Sequence, residues 1–162
     1  METNIDRNSS YLNFRIGKEC YALSVFRVLE IIQYDQLTHI PNSSEYILGV
    51  VNFRGSIVPV IDMHKRFHVE AGSTKDKMVI IVDFDNKEST VFLGLMVDEV
   101  TSVFEFKYND IRVVPDLGIN YNPEFLEGIV EVNNDFILVL NVNKVLNIRE
   151  LAELNEVACS EE

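Results

Sequence analysis

The sequence predicts a mainly β protein: two similar small barrels packed together. Three observations lead there. First, one supersecondary unit occurs twice. Glu45–Val51 returns as Glu124–Val130, and the match runs without a gap to Phe67 and Leu146. Inside it Ile57–Ile61 answers Phe136–Leu140, Asp62 answers Asn141 and Lys65 answers Lys144. A second stretch repeats at a shorter offset, where Ala22–Val25 meets Gly94–Val97, Val28 meets Val100 and Ile31 meets Val103. The two offsets differ because the second copy has a longer loop before Glu124. Two copies of one unit imply two like lobes. Second, most segments alternate apolar and polar residues with the period of two that a half-buried strand requires. Third, about five such segments fall in each copy, at the short spacing of small barrels.

In chain order, Leu12, Phe14 and Ile16 form one face of an opening strand, with Tyr11, Asn13 and Arg15 on the other. Gly17-Lys18-Glu19 turns the chain into a strand at Cys20–Ser24, and Arg27–Gln33 reads as the next. Ile47–Phe53 and Ser56–Ile61 make a hairpin about Arg54-Gly55. The second copy supplies strands at Met78–Phe84, Thr90–Val97, Val100–Lys107, Leu126–Asn133 and Asp135–Leu140. Asn133-Asn134 suits a tight turn that needs positive φ. Asp62 and Asn141 are natural N-caps, so a short helix is expected after each barrel. Gly49 and Gly128 hold equivalent strand positions and mark a bulge or a close approach of backbone. Pro59 inside a strand points to an edge or a bulge.

The expected domain spans residues 11–148, with lobe one at about 11–70 and lobe two at about 77–148, joined by Gly72–Asp76. Residues 1–10 read as a flexible N-terminus. Residues 149–162 read as an amphipathic helix and acidic tail, from Leu151, Leu154, Val157 and Ala158 at helical spacing.

Hydrophobic content of 47% and aromatic content of 10% belong to a folded protein. The net charge of −12 makes nucleic acid and anionic membranes poor partners, because phosphate neutralisation needs clustered Lys and Arg. No apolar run approaches the ~18 residues of a spanning helix, so no direct membrane insertion is expected. The opening residues lack the apolar stretch of a secretory signal. Cys20 and Cys159 have no metal-like spacing and read as reduced thiols of a cytoplasmic protein.

Catalytic chemistry is hard to find. No G-x-S-x-G, phosphate-binding glycine loop or H-E-x-x-H occurs. His64 and His68 read as exposed helix histidines rather than metal ligands, and no metal or cofactor is expected. Asp83 and Asp85 flank Phe84 and suit turn chemistry better than acid/base work. An aspartic protease takes one Asp from each half, but here Asp62 meets Asn141. A difference between the copies is more informative. Glu30 corresponds to Ser102 and Arg54 to Asn133, so both charges belong to lobe one alone. The pattern predicts a Glu30–Arg54 salt bridge, since a lone charge near a barrel core is costly.

The run Gly49-Val50-Val51-Asn52-Phe53-Arg54-Gly55-Ser56-Ile57-Val58-Pro59-Val60-Ile61-Asp62 resembles the signature of the CheW family, the chemotaxis coupling proteins. The resemblance extends from about Tyr11 to Leu146. Phe53 and Met63 each stand where the family's string has Leu. The resemblance implies two five-stranded SH3-like barrels and no enzymatic activity. It implies a cytoplasmic adaptor, recruited to membrane receptor arrays, that bridges a chemoreceptor's cytoplasmic tip and the regulatory domain of the histidine kinase CheA. Carried over by position, Glu30 and Arg54 match the family's Glu–Arg pair, and Val28, Gly49, Arg54, Val100 and Val103 match receptor-contact positions. From the residues alone, the same valines suit a core equally well. Tyr34 and Ile40 are candidates for kinase contact. The same scaffold in a non-chemotaxis kinase pathway is an alternative. A hydrolase on a duplicated β scaffold is a third reading, and it lacks a converging set of ionisable groups.

Overall fold

The computed structural model describes residues 8–34, 37–39, 45–70, 76–86, 89–113 and 125–145. Ten strands fall among them: β1 (Asn8–Ile16), β2 (Glu19–Ser24), β3 (Val28–Gln33), β4 (Ile47–Phe53), β5 (Ser56–Asp62), β6 (Met78–Asn86), β7 (Ser89–Val97), β8 (Glu99–Lys107), β9 (Leu126–Val132) and β10 (Asp135–Leu140). A short helix α1 (Met63–Phe67) follows β5, and a single 3-10 turn at Val142–Lys144 follows β10. The two N-caps form as expected. The Asp62 carboxylate accepts from the His64 and Lys65 amides, and the Asn141 side chain accepts from the Asn143 amide. The expected helix over 149–162 lies outside the described residues. The first strand opens at Asn8, ahead of Tyr11.

The strands form two five-stranded sheets, ordered β8-β1-β2-β10-β9 and β3-β6-β7-β5-β4. Advancing every strand of one sheet by five places gives the other, which is the duplication expressed as a pseudo-twofold. The expected division into lobes at 11–70 and 77–148 is corrected here. β1 and β2 do not pair with β3, β4 and β5; they join β8, β9 and β10. Each sheet therefore takes the first hairpin of one copy and the last three strands of the other. A repeat shows that two units are alike, but it carries no information on which copy supplies a pairing partner.

The sheet edges approach each other through isolated bridges. Thr38, just after β3, exchanges both backbone hydrogen bonds with Val50 of β4, each at 2.9 Å. Arg112, after β8, does the same with Ile129 of β9, each at 2.8 Å. Gly49 and Gly128 make these contacts feasible. A Cβ on Gly49 would lie 2.2 Å from the Thr38 carbonyl oxygen, and one on Gly128 would lie 2.3 Å from that of Arg112. The ladder is bulged beside both glycines, so the expected bulge and close approach are both present. Pro59 departs from expectation. β5 lies inside its sheet, but Val50 opposite Pro59 spends both backbone groups on Thr38. A proline there removes no bond from the β4–β5 ladder, and parallel pairing with β7 starts only at Val60.

Alternation along the strands makes three cores. On β6, Val79 and Ile81 point into a cluster with Val51, Phe53, Val58, Val60 and Met96. Ile80, Val82 and Phe84 point the other way, into a core shared with Leu12, Phe14, Ile16 and Leu23 of the opposite sheet. A third cluster, with Tyr11, Phe106, Val130 and Ile137, fills the sheet that contains β1. Rings reinforce the junction. Phe14, Tyr21, Phe67 and Phe125 stack in succession, and the Arg66 guanidinium lies 4.5 Å from the Phe125 ring centroid. Burial, and secondarily the Glu19 charge, push the Tyr21 phenol up to about 12.

Candidate functional site

The β4–β5 hairpin closes through a two-residue turn in which Arg54 (φ 51°) and Gly55 (φ 81°) are both left-handed. Asn133 (φ 53°) and Asn134 (φ 68°) close the β9–β10 hairpin in the same way, as their residue types predict. The Cβ of either residue crowds the following carbonyl there, but the short polar side chain of Asn can hydrogen-bond locally in compensation and that of Arg cannot, so Arg adopts the region less readily. Arg54 is exposed, with its guanidinium 4.7 Å from the Phe53 ring centroid. A charged side chain is therefore held at the hairpin tip in a costly backbone conformation. Such outliers concentrate at functional sites.

The predicted Glu30–Arg54 salt bridge is corrected. The ion pairs among the described residues are Arg27 with Asp83, Lys77 with Asp98, and His64 with Asp62 and Asp98. Glu30 is exposed on β3, and Arg54 turns onto Phe53. Both charges are solvated, so neither needs the other in the way that two desolvated charges would.

Val28 and Val100 are brought into equivalent places. Val28 is the first residue of edge strand β3 and Val100 the second of edge strand β8, and each packs, half-buried, on the rim of the shared core. Val28 lies opposite Val82, and Val100 opposite Phe14. Val103 continues the β8 edge and is 56% exposed, a large value for an apolar side chain. Gly49 is buried against Thr38, so its first role is backbone closure. Tyr34 is 40% exposed at the far end of the β3 sheet, beside a depression lined by Ile32, Leu37, Val50 and Ile57. Ile40 lies outside the described residues.

Two polar groupings escaped the sequence reading. His64, expected to be exposed, is only 4% exposed; His68 is exposed as expected. His64 Nδ1 lies 3.0 Å from Asp62 Oδ1, and Nε2 lies 2.7 Å from Asp98 Oδ2. Arg27 donates to the Asp83 carboxylate and carbonyl and to Asn143 Oδ1. The only sequence signal was the repeat register, which sets His64 against Asn143 and Glu99 against Arg27. Among the described residues no three His, Cys, Asp or Glu side chains gather as a metal site.

A duplicated two-sheet scaffold thus carries apolar residues on its edge strands β3 and β8 and an exposed arginine at a hairpin tip. The CheW-like domain profile matches residues 10–150, and the chain belongs to the CheW family. It is 32% identical to the chemotaxis protein CheW of Klebsiella aerogenes over 151 residues, covering 93% of this chain and 89% of that one. It is 30% identical to the chemotaxis protein CheW of Bacillus subtilis, covering 91% and 92% respectively. The crystal structure of the scaffolding protein TtCheW from Thermoanaerobacter tengcongensis superposes with a TM-score of 0.79 at 28% identity, covering 93% of this chain and 95% of that one.

Proposed function

We propose that this chain is a non-catalytic adaptor of bacterial chemotaxis, coupling the cytoplasmic tip of a chemoreceptor to the regulatory domain of the histidine kinase CheA. The observation that carries the reading is the extent of the family match. It spans residues 10–150 and so takes in every strand of both sheets after the first residues of β1. Each sheet is taken to close as a small SH3-like barrel through the Thr38–Val50 and Arg112–Ile129 bridges. Val28, Val100 and Val103 would meet an apolar helical face of the receptor tip, an ordinary recognition mode. Arg54 would supply the charged contact, with Gly49 holding its strand in place. Tyr34 and the depression beside it would face the kinase. No helix of the described residues is long and apolar enough to cross a membrane. The working place proposed is the cytoplasm, at membrane arrays reached through the receptor.

The test is a reconstitution of receptor-bearing membranes, kinase and this chain. Kinase autophosphorylation should respond to receptor ligand only when the chain is present, and Arg54→Ala should weaken that dependence. Ligand control of the kinase that is the same with and without the chain would refute the reading.

A further inference from the structure

The turn that carries Arg54 is built differently from its counterpart in the other sheet. Under the repeat, Asn52, Phe53, Arg54 and Phe92 answer Glu131, Val132, Asn133 and Cys20. Strand pairing agrees, since Val60 lies beside Gly94 in one sheet and Val139 beside Ala22 in the other. Of the two turns, the β4–β5 turn alone sets a cation against rings. The Arg54 guanidinium lies 4.7 Å from the Phe53 ring centroid. The Phe92 ring meets that of Phe53 at 5.8 Å and 90°, an edge-to-face contact. At the counterpart positions Val132 and Cys20 pack on their own cluster, and neither has a π face to offer.

Backbone and side chains act together on Arg54. In an extended strand, neighbouring side chains leave on opposite faces. The left-handed φ of 51° at Arg54 ends that alternation and lets its side chain return over its neighbour. Asn52 fixes the turn, because its Oδ1 accepts from the Gly55 amide at 3.1 Å. Phe53 is only 4% exposed, and its ring is set in the cluster of Val51, Val58, Val60 and Met96. The face of an aromatic ring carries negative partial charge and attracts a guanidinium, the more so where water is kept from the contact. A fixed ring therefore gives a long side chain a fixed seat. Glu30 offers no such seat, being exposed and in no ion pair among the described residues. A long surface side chain loses conformational entropy when a partner fixes it, and a seat formed before binding removes part of that cost.

We propose that Phe53 is the positioning residue for Arg54: its ring holds the guanidinium off Glu30 and presents it, oriented before binding, to the receptor tip. This rests on Arg54 as the receptor contact proposed above. Phe53 itself does not touch the partner; it acts through Arg54 alone.

The test begins with proton spectra of the full natural chain. The Arg54 Hδ and Hε resonances should lie upfield, displaced by the Phe53 ring current, with Overhauser contacts from Hδ to that ring. Glu30→Gln should leave them in place, and Phe53→Leu should return them to the positions of a free arginine. Arg54 resonances already at free-arginine positions in the natural chain would overturn the proposal, and that reading needs no variant to fold. So would resonances that move to those positions on Glu30→Gln. In titration with a receptor-tip fragment, a folded Phe53→Leu protein should bind about two- to fivefold more weakly, the scale of a cation–π contact at an exposed site. In an Arg54→Ala background the same substitution should weaken binding no further, because the ring then has no charge to hold. Equal weakening in both backgrounds would make Phe53 a packing residue and overturn the proposal. Arg54→Ala weakening the receptor step while Phe53→Leu leaves it unchanged or tighter would overturn this inference alone. A receptor step indifferent to Arg54→Ala would remove Arg54 from the receptor contact and overturn both readings.

Discussion

Replacing Gly49 with alanine tests how the β3 sheet closes. The added Cβ would lie 2.2 Å from the Thr38 oxygen, 2.8 Å from its carbonyl carbon and 2.7 Å from Leu37 Cδ2. Backbone cannot rotate out of the way as a side chain can, so the Thr38 segment must move. Moving it breaks both Thr38–Val50 hydrogen bonds, at about 1 kcal/mol net for each. Overpacking adds about 1–3 kcal/mol. The expected loss is about 3–5 kcal/mol, a large share of a stability of about 5–15 kcal/mol. In a chain of this size that lowers the melting temperature by roughly 6 to 20 °C. Gly128→Ala should cost a similar amount, because its Cβ would lie 2.3 Å from the Arg112 oxygen. Gly94→Ala meets only side chains, Val79 Cγ1 at 2.8 Å and Val60 Cγ2 at 3.0 Å, and should cost about 1–2 kcal/mol. Gly55→Ala meets open space and should cost about 1 kcal/mol for its left-handed φ. Urea unfolding of the four variants gives the order directly. A Gly49→Ala protein within about 0.5 kcal/mol of the natural chain would refute the closure argument. Gly49 would then have to act by contact alone.

Three further outcomes are expected. The Tyr21 phenol has a folded pKa of about 12, above its unfolded value of about 10, so the folded state holds the proton more tightly. Its contribution is intact below pH ~10 and is lost as pH rises towards ~12, by about 3 kcal/mol; Tyr21→Phe should remove that part of the alkaline decline in denaturant unfolding. Asn13 Oδ1 is buried without a hydrogen-bond partner, in the place that Ile81 holds in the other sheet, so Asn13→Leu should raise stability by about 1 kcal/mol in urea titrations. Val103→Glu, on an exposed edge, should shift stability by less than about 0.5 kcal/mol while weakening receptor-tip binding at least about tenfold.

Much of the fold is written locally and was readable. Period-two alternation marks strands such as β8, which turns one face to solvent, whereas β6 reads as a continuous apolar run because Ile80 and Ile81 enter two different cores. Gly49, Gly128 and the Asn133-Asn134 turn state backbone requirements in their own residue types. Pairing is not local. The exchange of hairpins between copies leaves every strand's pattern unchanged, so alternation carries no trace of it. His64 was misread for a related reason. A helix of five residues is too short for periodicity to mark its inner face, and the ring's partner Asp98 lies 34 residues away. Arg54 was legible as a position, but the side chain turns to its neighbour Phe53 and not to Glu30.

The adaptor role is tested most directly by calorimetric titration of the chain with the kinase regulatory domain, followed by titration of that complex with a receptor-tip fragment. The account predicts saturable binding in both steps, with Arg54→Ala weakening the receptor step about tenfold and leaving the kinase step unchanged. Binding of one partner that excludes the other, or binding of neither by the folded chain, would contradict it.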